Sequence, residues 1–193
     1  MRRLATTRGD QVAGTGMRLP ALVALVAVLS LSGCGREDPA DNAVEAREQN
    51  TAELAGVAYR VTLFRELNVS SPPDDAVWEG APPERGRGLY LLVLRACGAA
   101  DVPARASDRI HLEDAFGKRF APRSRETADA FAYTPTALEP GECLPAADTA
   151  AEETFGGAVL VFDVPFESTD ARPLVLQIGS PEGREKVRVQ LDL

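Results

Sequence analysis

The side chains best suited to chemistry are three cysteines and a single histidine in a chain of 193 residues. The histidine, His111, lies between Ile110 and Leu112, and a strand would place it on the face opposite to these apolar residues. A general base needs a nucleophile within hydrogen-bond reach, and the sequence contains no nucleophile elbow. We therefore expect His111 to be a solvated or hydrogen-bonded surface imidazole rather than a catalytic one.

Carboxylates occur as the neighbouring pairs Asp74-Asp75, Glu113-Asp114 and Glu152-Glu153. Successive residues of a strand point to opposite faces, and none of these pairs has the spacing of a calcium-binding loop. We interpret the pairs as solvated charge. The sequence thus predicts no catalytic residues, no metal site and no cofactor, and we expect a protein that is not an enzyme.

Cys34 ends the segment Leu31-Ser32-Gly33-Cys34, which closes an apolar stretch over residues 19–31. Acylation needs an accessible thiol, and cleavage before it needs small residues at Ser32 and Gly33. The apolar stretch has the length of a signal-peptide core and is short for a permanent membrane helix. The segment resembles the lipobox of bacterial lipoproteins, which implies a signal peptide over residues 1–33 and a lipid on Cys34.

This resemblance implies a protein anchored by lipid, including palmitate, on the extracytoplasmic face of the cell membrane. Acyl chains stabilise membrane binding by about 0.8 kcal/mol per buried CH₂, and stable anchoring needs more than one chain. A transmembrane anchor or a buried helix is the alternative interpretation of residues 19–31. Met17 is an alternative start of the chain, and it leaves the mature product unchanged.

Charge is segregated at the predicted cleavage point. Residues 34–193 carry 17 Lys and Arg against 28 Asp and Glu, a net charge of −11. Because contacts to phosphate need clustered Lys and Arg, this balance argues against binding of nucleic acid or anionic lipid by the domain's own surface. Attachment to the membrane is expected to come from the lipid on Cys34.

With Cys34 assigned to the lipid, Cys97 and Cys143 remain as an even pair in an oxidising compartment. We predict a disulfide between them. It closes a loop of about 45 residues, for which the chain-entropy model suggests roughly 4 kcal/mol. The alternatives are two separate buried thiols or a metal site with His111, although zinc prefers ligands at short spacings.

Domain organisation follows from the distribution of apolar residues. Residues 34–56 contain few large apolar side chains and are predicted to form a flexible tether. Residues 89–96 (LYLLVLRA) and 158–164 (AVLVFDV) are apolar on both faces, as is typical of central strands, and residues 187–193 alternate strictly. Short strands at intervals of about ten residues predict an all-β fold, a β-sandwich over residues 57–193.

Three further segments carry a family resemblance: residues 110–122 (IHLEDAFGKRFAP), 138–142 (LEPGE) and 157–165 (GAVLVFDVP). They are similar to the telokin-like, immunoglobulin-like extracellular domains of bacterial lipoproteins of unknown function, and the similarity covers most of residues 57–193. It implies an immunoglobulin-like β-sandwich and almost nothing about activity. The chain departs from the family at Cys97, where Asn is common, and at residues 143–156, which look like an insertion.

Trp78 lies in an acidic, proline-rich loop over residues 68–87. Such a side chain either folds back over the end of the sandwich or stays exposed as a partner contact, and we select it as a possible partner contact. The predicted function is that of a membrane-anchored extracytoplasmic lipoprotein whose immunoglobulin-like domain binds a protein or cell-envelope partner. The alternative is a small-ligand-binding or hydrolytic domain with a pocket near residues 124–155.

Overall fold

The computed structural model describes residues 42–181, 183 and 185–193. The predicted signal peptide with Met17, the lipobox residues Leu31, Ser32 and Gly33, the lipidation site Cys34 and residues 35–41 of the predicted tether lie outside this described part.

Short strands dominate the described part of the chain. Its elements are β1 (Asn42–Arg47), β2 (Thr51–Leu54), β3 (Val57–Glu66), a 3-10 helix (Asp74–Ala76), β4 (Arg87–Gly98), β5 (Ala104–Arg105), β6 (Ile110–Glu113), β7 (Arg119–Phe120), β8 (Ala137–Leu138), β9 (Cys143–Leu144), α1 (Ala150–Phe155), β10 (Ala158–Pro165), α2 (Phe166–Asp170), β11 (Leu174–Gly179) and β12 (Glu185–Leu191).

Two sheets form the sandwich. The first sheet has the order β1-β12-β11-β6-β7, in which β1 runs parallel to β12 and the other neighbours are antiparallel. The second sheet has the antiparallel order β10-β4-β3-β2, and β9 pairs with β4 beyond the end of β10. The sequence β12-β11-β6-β7 corresponds to strands G, F, C and C′ of an immunoglobulin domain, and the β4-β10 pair to strands B and E. The predicted all-β sandwich is confirmed.

The main core lies between the two sheets. Alternate side chains of each strand point into it, as the period of two requires. Leu92 and Phe162 enter from the second sheet, and the cross-strand partners Leu112 and Leu176 enter from the first sheet, all fully buried. Burial of each such side chain contributes about 1.5–3 kcal/mol.

A second cluster covers the other face of the second sheet. Leu91 and Val93 of β4 and Val161 of β10 are fully buried there beneath Trp78 and the partly buried Phe131. This two-sided burial explains why β4 and β10 are apolar on both faces. The prediction of a central strand is confirmed for β4 and wrong for β10, which lies at the edge of the second sheet.

Trp78 is 9 % exposed, and its indole Nε1 donates a hydrogen bond of 3.0 Å to the carbonyl of Ala81. The expectation of an exposed partner contact at Trp78 is therefore wrong. The ring folds back as a plug because an aromatic side chain gains more by covering the apolar face of β4 than by remaining in water.

Asp74 holds the loop that carries Trp78. Its carboxylate accepts two hydrogen bonds of 2.6 Å from Arg65 and one of 2.8 Å from the backbone N–H of Asn68. The Arg65 guanidinium lowers the pKa of Asp74, against the opposing effect of burial. Buried charge needs such partners, so Asp74 is not the solvated carboxylate that the sequence analysis expected.

Residues 42–54 belong to the sandwich, which corrects the prediction of a flexible tether over residues 34–56. β1 pairs along its whole length with β12, and β2 pairs with β3. Ala52 and Leu54 are buried, whereas Thr51 and Glu53 are exposed. The prediction counted large apolar residues, but an edge strand needs only one buried face and backbone partners.

The predicted disulfide between Cys97 and Cys143 is present. These residues are cross-strand partners on β4 and β9, so the bond joins neighbouring strands of one sheet. Antibody domains instead link their two sheets through strands B and F. Here the bond fastens the apparent insertion over residues 143–156 to the second sheet, where Glu152 of α1 also forms an ion pair with Arg95.

Within the residues that the structure describes, every helix falls short of the length and apolar character needed to cross a membrane.

Replacing Trp78 by Ala removes the plug over β4, and we expect it to lower the free energy of unfolding by about 3–5 kcal/mol. Urea denaturation followed by circular dichroism measures this loss. Phe116→Ala is the matched control, because that ring is 78 % exposed and its removal should change stability by no more than about 0.5 kcal/mol. Equal stability of Trp78→Ala and the unsubstituted protein would contradict the assignment.

Candidate functional site

The outer face of the first sheet is polar and charged. Leu112, Leu176 and Val187 are fully buried in the main core, so the alternating residues of the same strands point outward. The outward side chains on the three central strands include His111 and Glu113 of β6, Gln177 of β11, and Lys186 and Arg188 of β12. Among the described residues, no apolar plug like that of the second sheet covers this face.

A cavity of about 310 Å³ opens on this face, and we call it the outer-face pocket. The floor of the pocket consists of the buried Gln177 and the half-buried His111. Four charged side chains form its rim: the exposed Arg109, Arg119 and Glu185 and the half-buried Lys186. Gly179 and Gly183 complete the lining. Three of the four rim side chains carry positive charge.

Gly179 and Gly183 line the pocket next to Arg109. Gly179 is the cross-strand partner of Lys186 and donates a backbone hydrogen bond of 2.9 Å to the carbonyl of Arg109. Gly183, with φ +75°, adopts a left-handed conformation, and a Cβ there would collide with Nη1 of Arg109. Glycine at both positions therefore leaves room for the Arg109 side chain.

The floor holds two polar atoms whose hydrogen-bonding capacity is unused. Gln177 and His111 are cross-strand partners, and Gln177 is 3 % exposed. Among the described residues, neither Nε2 of Gln177 nor Nε2 of His111 has a hydrogen-bond partner. A buried polar group without a partner costs about 1–3 kcal/mol, so this floor is stabilised less than an ordinary sheet surface.

His111 is held neutral by its surroundings. Burial lowers the pKa of His111, the positive charges of Arg119 and Lys186 lower it further, and Glu113 opposes the change. A neutral imidazole offers one N–H donor and one acceptor, whereas the amide nitrogen of Gln177 offers donors only.

Ser107 fixes the start of β6, and with it Arg109. Its hydroxyl donates to the carbonyl of Gly179 at 2.5 Å and accepts from the backbone N–H of Arg109 at 3.0 Å. The backbone N–H of Ser107 donates to the Tyr59 hydroxyl at 2.8 Å, and the Tyr133 hydroxyl donates to the Ser107 carbonyl at 3.0 Å. Since all these groups are buried or part-buried, one side of the pocket is tied to the core.

The cations of this face differ in their partners. Arg119 forms an ion pair of 3.0 Å with Glu113, and Arg188 pairs with Glu45 at 3.3 Å and approaches Glu113 at 3.8 Å. Arg109 has no ion pair with any residue that the structure describes. The rim therefore contains a guanidinium whose donors remain available to a ligand.

The alternative site near residues 124–155 is largely filled. Phe131 and Phe155 pack edge to face with ring centroids 5.6 Å apart, against the second cluster. Cavities of about 150 Å³ beside Ser124 and Tyr133 and of about 250 Å³ beside Arg123 and Arg125 lie there, both below the roughly 300–1,000 Å³ of typical ligand pockets. This region therefore serves mainly to cover the second sheet.

The other carboxylate pairs also have structural partners. Asp114, expected to be solvated, is buried and accepts two hydrogen bonds of 2.9 Å from the backbone N–H groups of Phe116 and Lys118.

Within residues 42–181, 183 and 185–193, no cluster of three or more His, Cys, Asp or Glu could hold a metal ion.

Sequence reasoning singled out His111 but missed Gln177 and the cationic rim. The available signal was the alternation in the segments that form β6 and β12, which places their polar residues on one face. The pairing of these strands with β11 was not predicted, and without it the outward residues could not be brought together.

Acidification should destabilise the protein partly through His111. The folded state resists protonation because the pKa of His111 is lowered, whereas unfolded histidine binds a proton below about pH 6.5. The contribution of His111 to stability is therefore complete above about pH 6.5 and is lost as the pH falls toward the lower folded-state pKa. Between pH 7 and pH 5, the melting temperature of the unsubstituted protein should fall more than that of His111→Gln, and equal falls would contradict this.

Comparison with known proteins gives a distant similarity to solved structures. No protein-family profile and no curated protein sequence matches it. Among solved structures, it is similar to an uncharacterized β-sandwich protein of Clostridium difficile (11 % identity, TM-score 0.46, covering 80 % of this chain and 97 % of the other). It is also similar to a candidate lipoprotein of Bacillus subtilis, at 9 % identity and a TM-score of 0.48, covering 75 % of this chain and 38 % of the other. A conserved hypothetical protein of Bacillus anthracis is similar at 12 % identity and a TM-score of 0.45, covering 73 % of this chain and 94 % of the other. At these values the likeness is one of general architecture.

Proposed function

We propose that this chain is a lipid-anchored extracytoplasmic binding protein, whose immunoglobulin-like domain recognises a cell-envelope or protein partner through the outer face of the first sheet. The observation that carries the proposal is the floor of the outer-face pocket. There Gln177 is 3 % exposed, and its Nε2 has no hydrogen-bond partner among the described residues. A ligand that accepts this hydrogen bond removes a cost that the unliganded domain bears.

The composition of the pocket favours binding over catalysis. The described residues of its lining include no Ser, Thr, Cys or Tyr that could act as a nucleophile. His111 is kept neutral by burial and by neighbouring cations, which suits it to hydrogen bonding with a ligand. The protein is therefore proposed to be a binding module and not an enzyme.

The proposed site of lipid attachment is Cys34, at the end of the lipobox-like segment. The disulfide between Cys97 and Cys143 supports an oxidising, extracytoplasmic compartment. β1 begins at Asn42, eight residues after Cys34, and a chain of this length spans at most about 29 Å. A lipid on Cys34 would therefore keep the domain close to the membrane surface.

One experiment in intact cells tests both the anchor and the recognising face. Cells are fed labelled palmitate, and the chain carries a photoreactive residue at Glu185 on the pocket rim or, as a matched control, at the exposed Glu79 over the second sheet. The unsubstituted chain should incorporate label and fractionate with membranes, and Cys34→Ala should lose the label. Cys97→Ala should keep the label, because it removes a different cysteine.

Irradiation should give a covalent adduct, with protein or lipid, from position 185 and little from position 79. The adduct should weaken in Cys34→Ala, because the released domain is diluted away from the envelope. Adducts only from position 79 would contradict the proposed face, and persistent labelling of Cys34→Ala would contradict the proposed anchor.

A further inference from the structure

The outer-face pocket lies beside the first residue of β1. Asn42, the first residue of β1, is the cross-strand partner of Glu185 on the pocket rim. Neighbouring strands are about 4.8 Å apart, so the chain enters the domain directly beside the rim. In the sequence, Asn42 follows Cys34 by eight residues.

The pocket has the charge and the donors that an oxyanion requires. Arg109, Arg119 and Lys186 surround it, with Glu185 as the carboxylate on the rim. The donors of Arg109 have no ion-pair partner among the described residues, and Arg119 already shares its charge with Glu113. Guanidinium groups match carboxylate and phosphate oxygens through paired hydrogen bonds.

The floor adds a second observation that is independent of the rim. Gln177 is only 3 % exposed, and its Nε2 has no hydrogen-bond partner among the described residues. An amide nitrogen can only donate, so an oxygen acceptor is the chemical group that satisfies it. The hydrogen-bond donors of the rim and of the floor together suit an anion with several oxygen atoms.

We propose that the outer-face pocket binds the phosphate group of anionic membrane phospholipids, with Arg109 and Gln177 as its main donors. This inference rests on the proposed function and names the chemical class of its cell-envelope partner. Phosphate is the oxyanion present at high density on the surface to which Cys34 would anchor the domain. The net charge of the domain is negative, so the positive rim would act locally, within about a Debye length of 8–10 Å.

His111 supplies a reporter for this binding, because it is the only histidine in the chain. Its imidazole NMR signals are therefore assigned without ambiguity, and its ring lies on the pocket floor. The experiment uses the full lipidated protein in phosphatidylcholine bicelles, in equimolar phosphatidylcholine and phosphatidylglycerol bicelles, and in phosphatidylcholine bicelles titrated with inorganic phosphate. Sodium chloride at matched ionic strength is the control for charge screening.

We expect the His111 signals to shift with phosphatidylglycerol content in a saturable manner. Gln177→Leu and Arg109→Gln should each weaken the apparent affinity about tenfold, because each removes a hydrogen-bond donor to a charged group. Arg60→Gln is the matched control, since it removes the same charge from the exposed part of β3 in the other sheet and should leave the affinity unchanged.

A shift with inorganic phosphate but not with phosphatidylglycerol would overturn the assignment to lipid. An equal shift with sodium chloride, or no shift in any condition, would overturn the phosphate site altogether. Neither result affects the proposed function if the photoreactive residue at position 185 still yields an adduct with a protein, so the two failures are distinguishable.

Discussion

The two-sided burial of β4 is the constraint on which the rest of the domain depends. One face of this strand fills the core between the sheets, and the other lies beneath Trp78 and the segment around Phe131. Covering that second face requires the proline-rich loop, the ion pair between Arg65 and Asp74 that holds it, and the insertion tied down by the Cys97–Cys143 disulfide. The long connections of the fold are thus used for packing on the second sheet.

That remaining face is organised by strand register. β6, β11 and β12 bring His111, Gln177 and Lys186 onto one surface, and Gly179 lies among them. Buried polar groups in folded proteins are usually satisfied, so the two unpartnered Nε2 atoms on the floor are unusual. Local conflict of this kind is expected where a surface is shaped for a ligand rather than for stability.

The features that the sequence predicted are those with a local signature. A strand that is apolar on both faces, such as residues 89–96, is typical of the centre of a sheet. The disulfide was predicted because two cysteines remain once Cys34 is assigned to the lipid. β1 and β2 were missed because an edge strand of small residues differs little in composition from a tether. The partners of Asp74 and the pairing of Gln177 with His111 depend on contacts distant in sequence, which a local pattern does not contain.

The net charge of the region after residue 33 and the local charge of the outer-face pocket have opposite signs. Residues 34–193 carry a net charge of −11, yet three of the four described rim side chains of the pocket are cationic. The balance of the whole chain governs solubility and long-range attraction, whereas binding depends on the few charges within a Debye length of the ligand.

The central claim is that the domain meets its partner with the outer face of the first sheet while the plugged face of the second sheet stays free. Hydrogen exchange read by mass spectrometry, on the full lipidated protein in cell-derived membrane vesicles and in detergent, tests this most directly. We expect vesicles to slow exchange in β6, β11 and β12 and in the residues beside them. Slower exchange confined to the loop around Trp78, or identical exchange in both environments, would contradict it.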